Sequence, residues 1–351
     1  MNLLIIKSNN KRNRYKFVTD VCDAVQVQTT VLGGEGYLKD LRDYWSMRND
    51  QKFTHAILIG ASSYFFWHFI LVKLFHRMPV CIRIGGDPLE SRADRIRRLR
   101  HDHHYIRMIK TAIDSWFAWF LIRRADICIT VSEALARHMK DRYRIDSTIS
   151  IPRSMDTRKS NVRHISPDEP LRLLTVVNLD YREKAEGILR LLHAFSSQTF
   201  GAHHSYVWRI VGGGLHASEV KKAVEQFKHS SVLVDFVGYS ENVEDHYRWA
   251  DVFLYSSHLD WMPNVLLEAK SYGLPVVLEN YPPLHEIFSS GGAMQFDFTS
   301  PKSLKDALEK VGHRKDTRIL MCEQNIKDIS TRFCSQIIGK KLAENLSHLK
   351  H

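Results

Sequence analysis

Short apolar runs rich in β-branched residues alternate with longer segments of helical periodicity along the chain. The N-terminal half contains the runs NLLIIKS, VQVQTTVL, HAILIG, PVCIRIGG, ICITVSE and TISIP, and the C-terminal half contains LRLLTVV, YVWRIVGGG, SVLVDFVGY, ADVFLYSS, LPVVLEN and GAMQFD. Strands that alternate with helices favour parallel sheets covered by helices on both faces. The pattern therefore predicts an α/β protein built from doubly wound, Rossmann-like parallel sheets.

A polar, proline-containing stretch, RSMDTRKSNVRHISPDEP, interrupts this alternation and predicts a linker near residues 156–170. We expect a first Rossmann-like domain over residues 1–165 and a second over residues 166–330. A chain of 351 residues is long enough for two such domains. Because open α/β sheets bind ligands at the carboxyl ends of their strands, we expect the two sheets to face a central cleft.

Composition narrows the class of protein. Hydrophobic residues make up 44% of the chain and charged residues 25%, which is typical of a folded globular protein. The five cysteines are widely separated and odd in number, so we expect no disulfide framework or zinc site and a reducing compartment. The opening MNLLIIKSNNKR is not a signal peptide, and ASSYFFWHFILVKLF is too short to span a bilayer. These features predict a cytoplasmic protein.

The net charge of +11 is concentrated in the N-terminal half. Residues 1–155 contain 26 Lys and Arg against 15 Asp and Glu, whereas the remaining residues contain 24 of each. This asymmetry indicates that the N-terminal half faces an anionic partner, such as phosphate-bearing lipid, a membrane surface or nucleic acid.

Two loops that follow strands in the C-terminal half carry candidate phosphate-binding groups. In NLDYREK, Lys184 is predicted at the start of a helix, where an ammonium group and free backbone N–H groups both favour a phosphate. In VGGG, Gly212 and Gly213 would let the backbone turn tightly and approach a ligand. The glycines do not form a dinucleotide fingerprint, because G-x-G-x-x-G is absent.

The stretch DWMPNVLLEAKSYGLPVVLEN places two carboxylates around a predicted helix start. We expect Asn264 to be the N-cap after Pro263, and Glu268 to lie in the first turns with Asp260 in the preceding loop. The free N–H groups that would face an anion belong to Asn264, Val265 and Leu266. A carboxylate accepts hydrogen bonds from sugar hydroxyls, so a carboxylate pair beside a phosphate site favours a nucleotide sugar.

These motifs together resemble the donor-binding domain of retaining GT-B glycosyltransferases of family 4, the glycosyl transferases group 1. In that family a carboxylate and a glutamate, separated by seven residues, precede the motif A-x-x-x-G-x-P-V-V. Here Asp260 and Glu268 have the same spacing and precede AKSYGLPVV, although the family's first carboxylate is commonly glutamate. The resemblance includes VNLDYREKAEGILRLLHAF, in which Asn178 stands where the family usually has arginine, and extends over roughly residues 170–345.

The resemblance implies a GT-B fold and retaining, metal-independent transfer of a sugar from a nucleotide-sugar donor to a hydroxyl of a glycan or lipid-linked acceptor. It also implies a role in cell-surface polysaccharide or glycoconjugate synthesis, no cofactor, and a C-terminal helix over 331–351 that packs back toward the first domain. In such a site Lys184 and the helix start at Asn264 would stabilise the leaving diphosphate. Glu268 would hold the ribose and Asp260 the transferred sugar, with Tyr239 beside the base.

The first domain resembles the family only in layout. It has KSNNKRNRYKF where a glycine-rich loop is common, and no histidine follows PVCIRIGGD. The positions that would meet the acceptor are Gly85, Gly86, Asp87, Ser132 and Arg153.

The segment ESRADRIRRLRHDHHYIRMIKTAIDSWFAWFLIRR combines nine Lys and Arg with a group of aromatic residues. It predicts peripheral contact with an anionic membrane, although the aromatic residues would equally suit a protein core. We expect no metal site in RHDHHY, because adjacent histidines on a helix point in different directions.

Three other classes of protein remain open. They are a GT-B epimerase, a non-catalytic nucleotide-sugar-binding scaffold, and a nucleic-acid-binding protein. No recognised motif supports the last, so we expect no nucleic-acid partner.

Overall fold

The computed structural model describes residues 1–8, 16–33, 36–47, 53–158, 165–166, 169–197, 200, 206–312 and 314–349. Most of the predicted linker and residues 9–15 of the first loop lie outside these ranges. The chain divides into two compact units, Met1–Ser154 with Ser335–His351, and Met155–Cys334. Each unit contains one six-stranded parallel sheet.

The first unit begins with β1 (Asn2–Lys7), and its sheet has the order β2-β1-β3-β4-β5-β6. The other strands are β2 (Gln28–Leu32), β3 (His55–Ile59), β4 (Val80–Arg83), β5 (Ile127–Thr130) and β6 (Thr148–Ser150). The helices are α1 (Lys16–Asp23), α2 (Tyr37–Met47), α3 (Phe66–Leu71), α4 (Pro88–His101), α5 (Tyr105–Arg124) and α6 (Glu133–Tyr143).

The second unit has the sheet order β12-β11-β10-β7-β8-β9. Its strands are β7 (Leu171–Val176), β8 (Tyr206–Val211), β9 (Val232–Gly238), β10 (Val252–Tyr255), β11 (Val276–Glu279) and β12 (Ala293–Phe296). Its helices are α7 (Arg182–Phe195), α8 (Ala217–Gln226), α9 (Val243–Trp249), α10 (Asn264–Ser271), α11 (Pro301–Gly312) and α12 (Lys315–Asp328). The α/β class with two parallel sheets, predicted from the alternation of strands and helices, is therefore confirmed.

The central strands of both sheets are apolar along nearly their whole length because helices cover both faces. Every residue of β4, β10 and β11 is buried. Continuous apolar runs of this kind are typical of buried parallel strands. Parallel strands also bring the loops at their carboxyl ends to one edge of each sheet, which is where the candidate residues lie.

The final helix, α13 (Ser335–Ser347), belongs to the first unit and packs on α1. Gly339 makes this close approach possible, because a Cβ atom at this position would lie 2.2 Å from the Val21 carbonyl oxygen. Ile338, Leu342 and Leu346 complete the contact as part of the buried core of the first unit.

Two segments that the sequence analysis described are not single regular helices in the structure. The basic and aromatic segment forms two helices, α4 and α5, because the chain turns at 102–104, where His103 adopts a left-handed φ of 58°. The apolar segment at 61–75 contains a 3₁₀ turn (Ser63–Phe65), α3, and a π-helical turn (Val72–His76). Among the described helices, none combines the length and apolar character needed to cross a bilayer.

Candidate functional site

Lys184 and Asp260 meet at the carboxyl edge of the sheet in the second unit. Lys184 lies in the first turn of α7, and Asp260 lies in the loop between β10 and α10. The Lys184 Nζ is 2.7 Å from the Asp260 Oδ2, with 14% and 25% of the two side chains exposed. Because β7 and β10 are neighbours in the sheet, the segments that follow them are brought together, although 76 positions of sequence separate the two residues.

The short distance between α7 and the end of β10 depends on Gly187. A Cβ atom at this position would lie 2.1 Å from the Ser256 carbonyl oxygen, which is closer than van der Waals contact permits. The glycine thus lets the first turns of α7 pack directly against the loop that carries Asp260.

The Asp260 carboxylate is also held by Tyr255, the last residue of β10. The Tyr255 hydroxyl donates a hydrogen bond of 2.9 Å to the Asp260 Oδ2. Burial, followed by the charge of Asp260, raises the pKa of Tyr255 well above its ordinary value, so the hydroxyl keeps its proton. Within the described residues no partner contacts Oδ1, so this oxygen is left to accept a hydrogen bond from a ligand.

Glu268 is held in the same way by a second buried tyrosine. The Tyr247 hydroxyl, from α9, donates a hydrogen bond of 2.9 Å to the Glu268 Oε2. Tyr247 stacks on Tyr272 with ring centroids 5.1 Å apart, and burial raises its pKa well above the ordinary value. As with Asp260, the second carboxylate oxygen has no partner in the described part of the chain.

The start of α10 lies between these two carboxylates in sequence. The N-cap is Pro263, with extended backbone angles, and Asn264 is the first helical residue. The prediction that Asn264 caps the helix is therefore wrong, because proline already supplies the extended conformation that the cap position requires. No side chain caps this end, and the Leu266 N–H bonds to the Pro263 carbonyl. The predicted set of free N–H donors is thereby reduced to Asn264 and Val265.

Asn178 and the glycines shape the loop that precedes α7. The Asn178 Oδ1 accepts a hydrogen bond of 3.0 Å from the Asp180 N–H, which stabilises a tight turn. The Leu179 N–H donates to the Gly213 carbonyl over 3.0 Å, so the loops after β7 and β8 are joined. At Gly212, where φ is +157°, a Cβ atom would lie 1.9 Å from the Val177 carbonyl oxygen.

Tyr239 follows β9 and is 76% exposed. Its Cβ atom lies 3.1 Å from the position that a Cβ atom would take at Gly213. The ring therefore lies beside the glycine turn, where it is free to contact a ligand.

The predicted acceptor residues all lie in the first unit, after the neighbouring strands β4, β5 and β6. Gly85 and Arg153 are exposed and Gly86 is half-buried. Ser132 is buried, and its side chain caps α6 by accepting a hydrogen bond of 3.1 Å from the Leu135 N–H. Its side chain is therefore used inside the fold, and the prediction of a ligand contact through that hydroxyl is corrected.

Asp87 is likewise a structural residue. Its Oδ1 caps α4, and its Oδ2 accepts hydrogen bonds of 2.8 Å from both His138 and Tyr143. Burial favours a higher pKa for Asp87, but these hydrogen bonds outweigh it and hold the pKa below the ordinary value. Asp87, Glu90 and His138 lie close enough to share a cation, yet both Asp87 oxygens are already occupied.

The sequence did not indicate three functional candidates. Tyr255 and Tyr247 hold the carboxylates, and the only available signal was that YSSHLD places Tyr255 five residues before Asp260. The third is Arg83, at the end of β4. Burial and the nearby charge of Arg153 lower its pKa to about 9, so a buried and an exposed arginine lie close together at that edge of the first sheet.

The chain is similar to known proteins in part of its sequence and in its fold. The family model described as Glycosyl transferases group 1 matches residues 156–328. The amylovoran biosynthesis glycosyltransferase AmsD of Erwinia amylovora is 30% identical over 76 residues, a segment that spans 21% of this chain and 21% of that protein. Both the matched family and this relative are glycosyltransferases.

Solved structures of glycosyltransferases share the fold over nearly the whole chain. The structure of Anabaena Alr3699/HepE in complex with UDP and glucose has a TM-score of 0.67 at 14% identity, and the match covers 99% of this chain and 99% of that one. The glycosyltransferase of Rickettsia africae ESF-5 has a TM-score of 0.74 at 10% identity, covering 99% of this chain and 97% of that one. The protein thus has the GT-B fold of these structures, and its residues 156–328 are similar to the Glycosyl transferases group 1 family.

Proposed function

We propose that the protein is a retaining, metal-independent glycosyltransferase of the family 4 type. It transfers a sugar from a nucleotide-sugar donor to a hydroxyl of a glycan or lipid-linked acceptor, in the synthesis of a cell-surface polysaccharide or glycoconjugate. The observation that carries this proposal is the cluster at the carboxyl edge of the second sheet. There Lys184 contacts Asp260 beside an uncapped helix start, and Asp260 and Glu268 each keep one oxygen free.

The donor diphosphate would bind to Lys184 and to the two free N–H groups at the start of α10. These groups carry positive charge, and they are in place before negative charge develops on the leaving diphosphate. Groups arranged in this way lower the activation barrier by stabilising the charge of the transition state. Because Lys184 pairs with Asp260 in the free protein, the ammonium group is already oriented toward the sugar end of the site. The positive charge that this chain supplies is the basis for proposing metal-independent transfer.

Glu268 would accept hydrogen bonds from the ribose hydroxyls through its free oxygen, and Tyr239 would contact the base. The free Oδ1 of Asp260 would accept a hydrogen bond from a hydroxyl of the transferred sugar. Asp260 is one methylene shorter than glutamate, and Lys184 and Tyr255 both contact its Oδ2, which restricts the orientation of the carboxylate.

In retaining transfer, the acceptor oxygen bonds to the anomeric carbon on the face from which the diphosphate leaves. The bond from the anomeric carbon to the diphosphate oxygen breaks, and a phosphate oxygen takes the acceptor's proton. The acceptor would approach Gly85, Gly86 and Arg153, because the side chains of Asp87 and Ser132 are used as helix caps.

A donor screen tests this proposal. UDP-, GDP- and ADP-sugars are incubated with the protein in EDTA, and the melting temperature and slow donor hydrolysis are measured. One nucleotide class should raise the melting temperature, and the variant Glu268→Ala should lose that rise. Glu241→Gln, which removes an exposed carboxylate elsewhere in the unit, should keep it.

The products distinguish the other classes of protein. An epimerase returns an intact nucleotide sugar with altered stereochemistry, and a scaffold binds the donor without hydrolysis. If no donor is bound or hydrolysed, the transferase proposal fails.

We also propose that the protein acts peripherally at the cytoplasmic face of an anionic membrane. Six large apolar side chains of α5 are exposed, namely Tyr105, Ile106, Ile109, Ile113, Trp116 and Trp119. Their spacing of mostly three or four residues places them along one side of the helix. The adjacent α4 presents Arg95, Arg98 and Arg100 to solvent, so apolar and positive groups lie side by side.

Vesicle flotation tests the membrane proposal. The protein should float with phosphatidylcholine vesicles containing phosphatidylglycerol and less so as salt is added. Ile109→Glu and Trp116→Glu should reduce flotation, whereas Leu320→Glu, at an exposed apolar position of the other unit, should not. A protein that stays in the bottom fraction at low salt would contradict the proposal.

A further inference from the structure

The second unit contains a cavity of about 870 Å³ between α7 and the chain that leads from β12 into α11. Leu189 and Ala194 of α7, with Phe298 and Leu304 from the opposite side, provide its apolar surface. A volume of this size lies within the range of small-molecule binding sites. None of the predicted donor residues lines it.

The cavity is also lined by three negatively charged side chains, the carboxylates of Glu183, Glu186 and Asp297. Glu186 pairs with Arg182, and Asp297 accepts a hydrogen bond from the Thr299 N–H. Glu183 has no partner within the described ranges of the chain. The cavity thus presents carboxylate oxygens that can accept hydrogen bonds from a ligand, and their charge disfavours an anion.

One wall of the cavity is fixed by the buried carboxylate of Glu279 at the end of β11. Arg190 donates to both of its oxygens over 2.8 and 2.9 Å, and Ser256 donates over 2.7 Å. The Nε2 of His258 is 2.8 Å from the same carboxylate, and its ring stacks on Tyr281 with centroids 4.7 Å apart. Bidentate pairing of arginine and carboxylate is geometrically specific, so Arg190 and His258 present a rigid polar surface.

Residues that line the cavity are close in sequence to the Lys184–Asp260 pair. Glu183 directly precedes Lys184, and His258 lies two residues before Asp260. The same two segments therefore supply residues to the cavity and to the Lys184–Asp260 pair.

We propose that this cavity is a binding site for an uncharged, hydroxyl-rich saccharide. A sugar ring has apolar C–H faces that pack on Leu189, Leu304 and Phe298, and hydroxyls that donate to the carboxylates. The guanidinium of Arg190, which lies 4.7 Å above the Phe298 ring, supplies further donors for sugar oxygens. Saccharide binding here does not require transfer chemistry, so this proposal stands apart from the proposed function.

Saturation-transfer NMR with the methyl glycosides of glucose, galactose, mannose and N-acetylglucosamine tests the proposal. At least one should show transfer to its ring protons. Glu183→Gln and Phe298→Ala should weaken that binding at least fivefold. The matched controls Glu241→Gln and Leu320→Ala, which change an exposed carboxylate and an exposed apolar side chain outside the cavity, should leave it unchanged.

The melting-temperature shift with nucleotide sugars is measured on the same variants and reports separately on the donor site. It should persist in both cavity variants. If none of the four glycosides binds, or if binding is the same in Glu183→Gln as in wild type, the cavity is not a saccharide site. Because Glu183 is exposed, that variant tests the proposal even if Phe298→Ala does not fold.

Discussion

The hydrogen bond from Tyr255 to Asp260 gives the sharpest test of the proposed site. Tyr255→Phe removes one hydroxyl and leaves the ring packing of β10 in place. The hydroxyl lies 2.9 Å from the Asp260 Oδ2, and the tyrosine is buried. After this change only Lys184 would hold the carboxylate, so the free oxygen that meets the transferred sugar would no longer be fixed.

The expected loss follows from the value of such a bond. A hydrogen bond to a charged group contributes about 1.5–3 kcal/mol, and each ~1.4 kcal/mol is a factor of about ten. If this stabilisation is lost in the transition state, kcat/KM for the donor should fall about 10- to 100-fold. Since Asp260 is proposed to contact the sugar, the affinity for the free nucleoside diphosphate should remain unchanged.

The assay compares Tyr255→Phe with two other tyrosine variants of the same unit. Tyr247→Phe acts on Glu268, which is proposed to hold the ribose, and should weaken binding of the free nucleoside diphosphate as well. Tyr206→Phe is the matched control, because Tyr206 is buried and its hydroxyl has no hydrogen-bond partner in the structure as described. Turnover by coupled release of nucleotide and affinity by calorimetry separate the three outcomes. Equal kcat/KM values for Tyr255→Phe and Tyr206→Phe would refute the reasoning.

Three further predictions concern the framework of the second unit. Gly187→Ala should lower the free energy of unfolding by about 2 kcal/mol or more, measured by urea denaturation, because its Cβ would lie 2.1 Å from the Ser256 oxygen; an unchanged midpoint would contradict this. Lys270→Met should lower the free energy of unfolding by about 3 kcal/mol, because the fully buried ammonium donates a hydrogen bond of 2.6 Å to Asp328. In the variant the buried Asp328 would keep only Arg332 as a charged partner. An unchanged free energy of unfolding would show that the Lys270–Asp328 pair contributes nothing to stability. Burial favours a higher pKa for Asp328, but the hydrogen bonds to its carboxylate and the charge of Lys270 hold that pKa below the ordinary value. The ionised carboxylate therefore stabilises the fold above about pH 4, and this stabilisation is lost as the pH falls through the lowered pKa of the folded state. The urea midpoint should therefore fall less steeply between pH 5 and pH 3 in Asp328→Asn than in wild type.

The sequence pattern predicted the fold class because each strand and helix carries its own local signal. The runs that became β4, β10 and β11 are apolar except for Arg83 and Glu279 at the ends of β4 and β11, and such apolar runs are typical of buried parallel strands. The ends of elements were predicted less well. Asn264 has a good side chain for an N-cap, but Pro263 takes that position because its fixed φ suits the extended backbone before a helix.

Two of the predicted acceptor side chains show why residue type alone is insufficient. Asp87 and Ser132 follow strands, as binding residues in this fold class do, and the same residue types are the preferred helix caps. The structure uses both side chains as caps and leaves Gly85 and Arg153 exposed at the same edge of the sheet. Only packing distinguishes the two uses of such a residue.

The sequence by itself determined the two α/β units, the helix start after Pro263 with Asp260 and Glu268 beside it, and Lys184 at the start of a different helix. These features are local, since they depend on periodicity, on turn residues and on spacing within one loop and helix. The tertiary structure alone decided that Lys184 contacts Asp260, because that contact requires β7 and β10 to be neighbours and Gly187 to admit the close approach. Sheet order and the approach of one backbone to another depend on residues far apart in the chain, and no local pattern encodes them.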